Sequence, residues 1–123
     1  MNHTLRSVSF CFLTLFVASC MTSQSRYSML GQSYSPKKEN YEVQVFLNNT
    51  PKRPFLKISR LDVHLEKTFF VGSSLSEALP ELKKQARLSG ADAIIEIRET
   101  RLTVVEALVY HVTATGIRYS DSP

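Results

Sequence analysis

The sequence predicts a small α+β domain, a mostly antiparallel sheet with one amphipathic helix packed on one face, in the order β-β-α-β-β. Three observations lead there. Stretches near residues 41–46, 56–66 and 104–119 alternate apolar and polar side chains with the period of a half-buried strand. Residues 74–90 instead carry the helical period between recognisable start and stop signals. A chain of 123 residues with 43% hydrophobic content and no internal repeat suits one compact core, and a single helix on one sheet face is the natural way to close it.

The expected domain spans residues 41–120. Its first strand is Tyr41 to Phe46, where Tyr41, Val43 and Val45 alternate with polar neighbours. Asn48 to Pro54 follows as a loop, since prolines leave ladder positions unfilled and asparagines favour turns. The second strand covers Leu56 to Glu66, with Leu61, Val63 and Leu65 on one face and Asp62, His64 and Glu66 on the other. Ile58 is out of phase, which a bulge near Ser59 and Arg60 would reconcile. Ser74-Leu75-Ser76-Glu77 has capping-box spacing, and Leu75, Ala78, Leu79, Leu82 and Ala86 then share one helical face. Pro80 is tolerable only near a first turn, and Gly90 supplies the left-handed stop. The third strand, Ala91 to Glu99, is expected to turn Ala93, Ile95 and Ile97 inward against Asp92, Glu96 and Arg98. The last, Val104 to Tyr119, alternates Leu108, Tyr110, Val112 and Ala114 with Val109, His111, Thr113 and Thr115.

Residues 1–19 read as a signal peptide. They carry one basic side chain, Arg6, no acid, and an apolar run from Val8 to Ala18 that is shorter than the roughly 20 residues a membrane-crossing helix needs. Val17-Ala18-Ser19-Cys20 at its end resembles the bacterial lipobox: an aliphatic residue, two small residues that fit a signal-peptidase cleft, and a cysteine whose thiol takes a diacylglyceryl group. That resemblance implies lipid attachment at Cys20, with palmitate-type acyl chains holding the protein to a membrane. Residues 20–40 hold five serines and no apolar period, and are expected to form a flexible tether spanning about 25 Å, although Tyr27, Met29, Leu30 and Tyr34 leave room for part of it to pack.

These expectations narrow the function. Cys11 leaves with the signal peptide and Cys20 is consumed by lipid, so neither a disulfide nor a thiolate metal site is expected in the mature chain. Of the charged residues only Arg6 is lost on cleavage, and the small positive excess that remains is no nucleic-acid signature. Two basic groups stand out, Lys52, Arg53, Lys57 and Arg60 around the proline loop and Lys83, Lys84 and Arg87 on the helix, each suited to anionic headgroups or an acidic partner or simply to solvent.

Ala78-Leu79-Pro80-Glu81-Leu82-Lys83-Lys84-Gln85-Ala86-Arg87-Leu88-Ser89-Gly90-Ala91-Asp92-Ala93-Ile94-Ile95 resembles the helix-to-strand core of the YbjQ-like proteins, often labelled heavy-metal-binding, and of the Rcs stress-sensor lipoprotein domain of enteric bacteria. YHVTATGIRY, Tyr110 to Tyr119, resembles their final strand, and PFLKISRL, Pro54 to Leu61, the approach to an early one. The resemblance implies a fold and an envelope address. The stress sensor's domain is held by disulfides that this mature chain lacks, and the metal label finds no cysteine or histidine cluster here.

Catalytic constellations are thin. His64 and His111, with Asp62 or Glu66, are the candidate metal ligands, but two histidines without a third ligand at recognisable spacing make a weak site. Asp62 and His64 share a strand face, yet no G-x-S-x-G elbow marks a nucleophile. Glu77 and Glu81 lie one turn apart and are accounted for by capping and by Lys84. The expectation is therefore a non-enzymatic envelope lipoprotein that needs no cofactor and binds a protein partner or the envelope surface. The alternative is a small periplasmic metal-binding protein or enzyme using His64 and His111. Met21 follows the cysteine where aspartate would resemble an inner-membrane retention signal, which points to a periplasm-facing position on the outer membrane.

Overall fold

The computed structural model describes residues 22–68 and 72–123. Residues 1–21, with the expected signal peptide, its expected recognition residues Val17, Ala18 and Ser19, and Cys20, lie outside the described residues. Five strands and one helix follow in the order β1 (Thr22–Met29), β2 (Gln44–Val45), β3 (Phe55–Thr68), α1 (Leu75–Ser89), β4 (Ala93–Val104) and β5 (Ala107–Tyr119). They form one sheet ordered β1-β3-β5-β4-β2, antiparallel throughout except for the short β2–β4 pair. The helix lies on one face, so the α+β class expected from the alternation is the one found. No helix among the described residues is long and apolar enough to cross a membrane.

The main core lies between α1 and the sheet. Leu61, Val63 and Leu65 of β3, Tyr110, Val112 and Ala114 of β5 and Ala78, Leu82 and Ala86 of α1 are all buried, as their spacing requires. The register of β3 against β5 slips between Lys57 and Ser59, and this bulge brings Ile58 into the same cluster. Gly90 ends α1 at φ 83°, with its N–H on the Arg87 carbonyl, and the following Ala91 N–H reaches that of Ala86. A Cβ at Gly90 would also meet the Ser35 carbonyl oxygen and Tyr34 Cβ, each at 2.8 Å, so the site excludes a side chain twice over.

Several expectations are corrected. Part of the 20–40 segment expected as a tether, Thr22–Met29, forms β1 instead, paired along its length with β3 from Thr22↔Glu66 to Met29↔Ser59. Ser25 accepts a hydrogen bond from Gln85 at 2.9 Å and donates to Glu81 at 2.6 Å, so small polar side chains connect β1 to α1 where apolar ones would have announced a strand. Further along, Lys37 N–H donates to the Arg87 carbonyl, which covers the helix C-terminus. The strand expected over Tyr41 to Phe46 shrinks to Gln44–Val45, although Val43 is buried in the core. The capping box does not form: the Ser74 and Ser76 hydroxyls bond each other, and Glu77 pairs with Lys67. Glu81 goes to Ser25, not Lys84.

The inward face of β4 is also reassigned. Ile94 packs under the helix, while Ala93 and Ile95 point to the opposite side and build a second, smaller cluster with Ile117 and Tyr119, flanked by Phe46 and Phe55. A second slip, between Ile95 and Arg98 where Glu96 takes φ 54°, then returns Ile97 to the helix side. Asp92, expected to face solvent, is 2% exposed.

Candidate functional site

Two polar assemblies stand out, one on the sheet face that α1 leaves open and one buried at the start of β4. On the open face, alternate residues of neighbouring strands come into register: Gln24, His64, His111 and Thr100 form one row, and Arg26, Asp62, Thr113 and Arg98 the next. Adjacent strands lie about 4.8 Å apart, so each row is a contiguous line of side chains.

His64 and His111 are thus brought side by side, as their candidacy for one site requires, with ring centroids 6.2 Å apart and planes tilted by 56°. Asp62 accepts a hydrogen bond at 2.6 Å from Nε2 of His111, not from His64 on its own strand, and Arg26 approaches its other oxygen at 3.6 Å. His64 Nε2 lies 3.8 Å from Glu66. A shallow concavity of about 390 Å³ lies over this group, lined by Gln24, Ser25, Arg26, Asp62, His64 and His111. No group of three or more His, Cys, Asp or Glu side chains among the described residues is arranged to hold a metal ion. Ser25, which lines the same hollow, spends its hydrogen bonds on Glu81 and Gln85, and Thr113, opposite Asp62 in the register, lines an adjoining hollow with Asp62 and His111. Chemically, the face offers a flat array of mixed charge.

The second assembly centres on Asp92. Lys37 Nζ lies 2.8 Å from Oδ1, the hydroxyls of Tyr41 and Ser122 donate to the same oxygen at 3.0 and 3.2 Å, and the Tyr119 N–H donates to Oδ2 at 2.8 Å. Burial pushes the Asp92 carboxyl pKa up, and the bonds from Lys37, Tyr119 and Tyr41 more than reverse this, leaving it below the ordinary aspartate value. Tyr41 moves upward, through its own burial and the hydrogen bond to Asp92. With its lone pairs so occupied, the carboxylate has little left to offer a ligand. Its effect is to tie the segment before β2, the start of β4 and the C-terminus into one knot, beside which Arg53 stacks 3.8 Å from the Tyr119 ring centroid and pairs with Asp121 at 2.5 Å. Sequence reasoning missed this knot because Asp92 obeys the alternation. The available signal was a lone acid between Gly90-Ala91 and Ala93-Ile94-Ile95, a run too apolar to leave a carboxylate in water.

The two basic groups are partly consumed by ion pairs. Arg53 goes to Asp121, Lys57 to Glu96 and Lys83 to Glu42, the last at 2.9 Å. Arg60 is exposed on the open face beside Lys57 and Arg98, where a second hollow of about 270 Å³ is lined by all three together with Glu96 and Leu30. No protein-family model matches the chain, and no curated protein and no solved structure matches it either.

Proposed function

We propose that the chain is the precursor of a bacterial envelope lipoprotein whose folded domain binds a protein partner or the envelope surface and does no chemistry of its own. Val17-Ala18-Ser19-Cys20, closing a short apolar run behind Arg6, is the observation that carries this reading. In it, residues 1–19 direct export, Cys20 receives the acyl chains, and Met21 in place of an aspartate leaves the protein free to reach the periplasmic side of the outer membrane. A single acyl chain holds a protein marginally and several hold it firmly, so a multiply acylated Cys20 resists salt washing. The flat array of Arg26, Arg60, Asp62 and Arg98 supports binding over catalysis, because it offers complementary charge without an activated nucleophile. The likeness of residues 78–95 to the YbjQ-like proteins adds no activity to this reading.

The test is metabolic labelling with palmitate, followed by fractionation of cells carrying the wild type or Cys20→Ser. Wild-type protein should be labelled and sediment with membranes, and the serine variant should be unlabelled. An unlabelled, freely soluble wild type overturns the reading.

The competing reading, a metal-binding protein or small enzyme, draws on the 6.2 Å approach of His64 and His111. Purified protein with both histidines replaced by alanine decides it. Metal content and stability equal to wild type remove it, and loss of a bound metal ion establishes it.

A further inference from the structure

The register of the sheet carries information about orientation that the anchor motif lacks. β1 begins at Thr22, which pairs with Glu66; Glu66 pairs with Val109, and Val109 with Leu102. These four residues lie at one level across β1, β3, β5 and β4, within about 14 Å over three strand spacings. Beyond that level β4 and β5 continue to the pair Val104↔Ala107 and turn at Val105 and Glu106, the latter at φ 71°. The tip therefore projects roughly 10 Å past the Thr22 level at about 3.4 Å per residue.

Cys20 stands only two residues ahead of Thr22, a reach of at most about 7 Å. Any acyl chain on it must enter a bilayer lying at this end of the sheet. The same end presents the apolar surface such a bilayer would accept, with Leu102 57%, Val104 53% and Val105 91% exposed. Leu30, Leu47 and Leu56 are each 56% exposed as well, but Leu30 follows the far end of β1, about 25 Å of strand from Thr22, and Leu56 pairs with Arg118 at that same far end.

We propose that the β4–β5 hairpin tip and the start of β1 form the membrane-facing end of the domain, with Leu102, Val104 and Val105 seated among the headgroups of the bilayer that holds the acyl chains of Cys20. The seat is shallow. Glu106 occupies the turn, and Arg101, held over the Tyr110 ring at 4.9 Å, immediately precedes Leu102, so carboxylate and guanidinium mark the headgroup level and keep the tip out of the hydrocarbon. The domain then stands with its strands rising from the membrane, and the open face carrying Asp62, His64 and His111 looks sideways, free for a partner. This inference rests on lipidation of Cys20.

The test uses the full acylated protein in vesicles of phosphatidylethanolamine and phosphatidylglycerol. With Cys11 removed and Cys20 acylated, Val105→Cys and Lys52→Cys each offer one thiol for an environment-sensitive fluorophore, the second at the far end of the domain. Both positions are exposed, so neither label disturbs the core. The expected result is a blue-shifted Val105 label, quenched by lipid-borne nitroxides and several-fold less by aqueous iodide than the Lys52 label. Protein that floats with the vesicles while both labels are equally open to iodide overturns the orientation and leaves the anchor standing; a tip that docks on a protein would give this result. Protein that carries no acyl chain and does not float overturns anchor and orientation together.

Discussion

Strand β5 places one backbone in two environments. Tyr110, Val112 and Ala114 are buried beneath α1, while His111, Thr113 and Thr115 between them line the open face, half-exposed. β3 repeats the division, with Leu61, Val63 and Leu65 against Asp62, His64 and Glu66. Alternation thus separates two duties along the same residues: one face supplies the apolar burial that offsets chain entropy, and the other is free to vary in charge without unfolding the domain. Around Asp62, His64, His111 and Thr113 the open face is tolerant because its interactions are partly solvated, and the covered face is not.

The widest gap between the two faces is expected at neighbouring positions of β5. Val112 is fully buried, so Val112→Asp places an unpaired charge beneath the helix at a cost of several kcal/mol, comparable to the whole stability of a small domain. Circular dichroism should show no cooperative melt. His111→Ala, one residue away, removes a half-exposed pair with Asp62 and should change stability by no more than about 1 kcal/mol. Equal effects would mean the faces are misassigned. Ala93→Asp should unfold the domain as Val112→Asp does, even though Ala93 belongs to the smaller cluster on the other side of the sheet.

Next in size is the Asp92 knot, where a carboxylate is held away from water. Asp92→Ala strands the Lys37 ammonium, whose side chain is 14% exposed, and should cost about 3–5 kcal/mol. The folded carboxyl titrates below its unfolded value of about 3.9, so its contribution is complete above that pH and is lost as pH falls through the folded value. Urea denaturation as a function of pH should show wild-type stability falling on this acid limb, and Asp92→Asn should flatten it. An unchanged limb would remove Asp92 from the account.

A smaller effect is expected where β5 passes the bulge of β3. A Cβ on Gly116 would collide with the Ser59 hydroxyl and stand 3.1 Å from Ala91 Cβ. Ser59 is itself fully buried and bonds Ser89 at 2.8 Å, so it has little freedom to yield. Gly116→Ala should therefore cost about 1–3 kcal/mol, read as a lowered melting temperature with the fold retained.

The covered face was legible in the sequence because burial there imposes a period. Leu61, Val63, Leu65, Tyr110 and Val112 announce themselves, and so do the face of α1, the glycine stop and the bulge near Ile58. β1 was not legible. Its helix-facing Ser25 satisfies Glu81 and Gln85 through hydrogen bonds, so no apolar alternation marks it, and its strand state comes from pairing with β3, a partner distant in sequence. Asp92 was misread for the opposite reason: its position fits the alternation, but the groups that bury it, Lys37, Tyr41, Tyr119 and Ser122, arrive from both ends of the chain. Of the open-face candidates, His64 and His111 were expected to meet if their strands were neighbours, and they do. That Asp62 serves His111 and not His64 is a matter of cross-strand geometry that spacing alone does not specify.

The central claim is that the domain is tied to a membrane through Cys20, two residues before its first strand. Mass spectrometry of the N-terminal peptide from membrane-extracted protein tests it most directly. The account predicts a peptide that begins at Cys20 and carries a diacylglyceryl group and further acylation on that residue. A peptide that begins elsewhere, or that begins at Cys20 with an unmodified thiol, would contradict it.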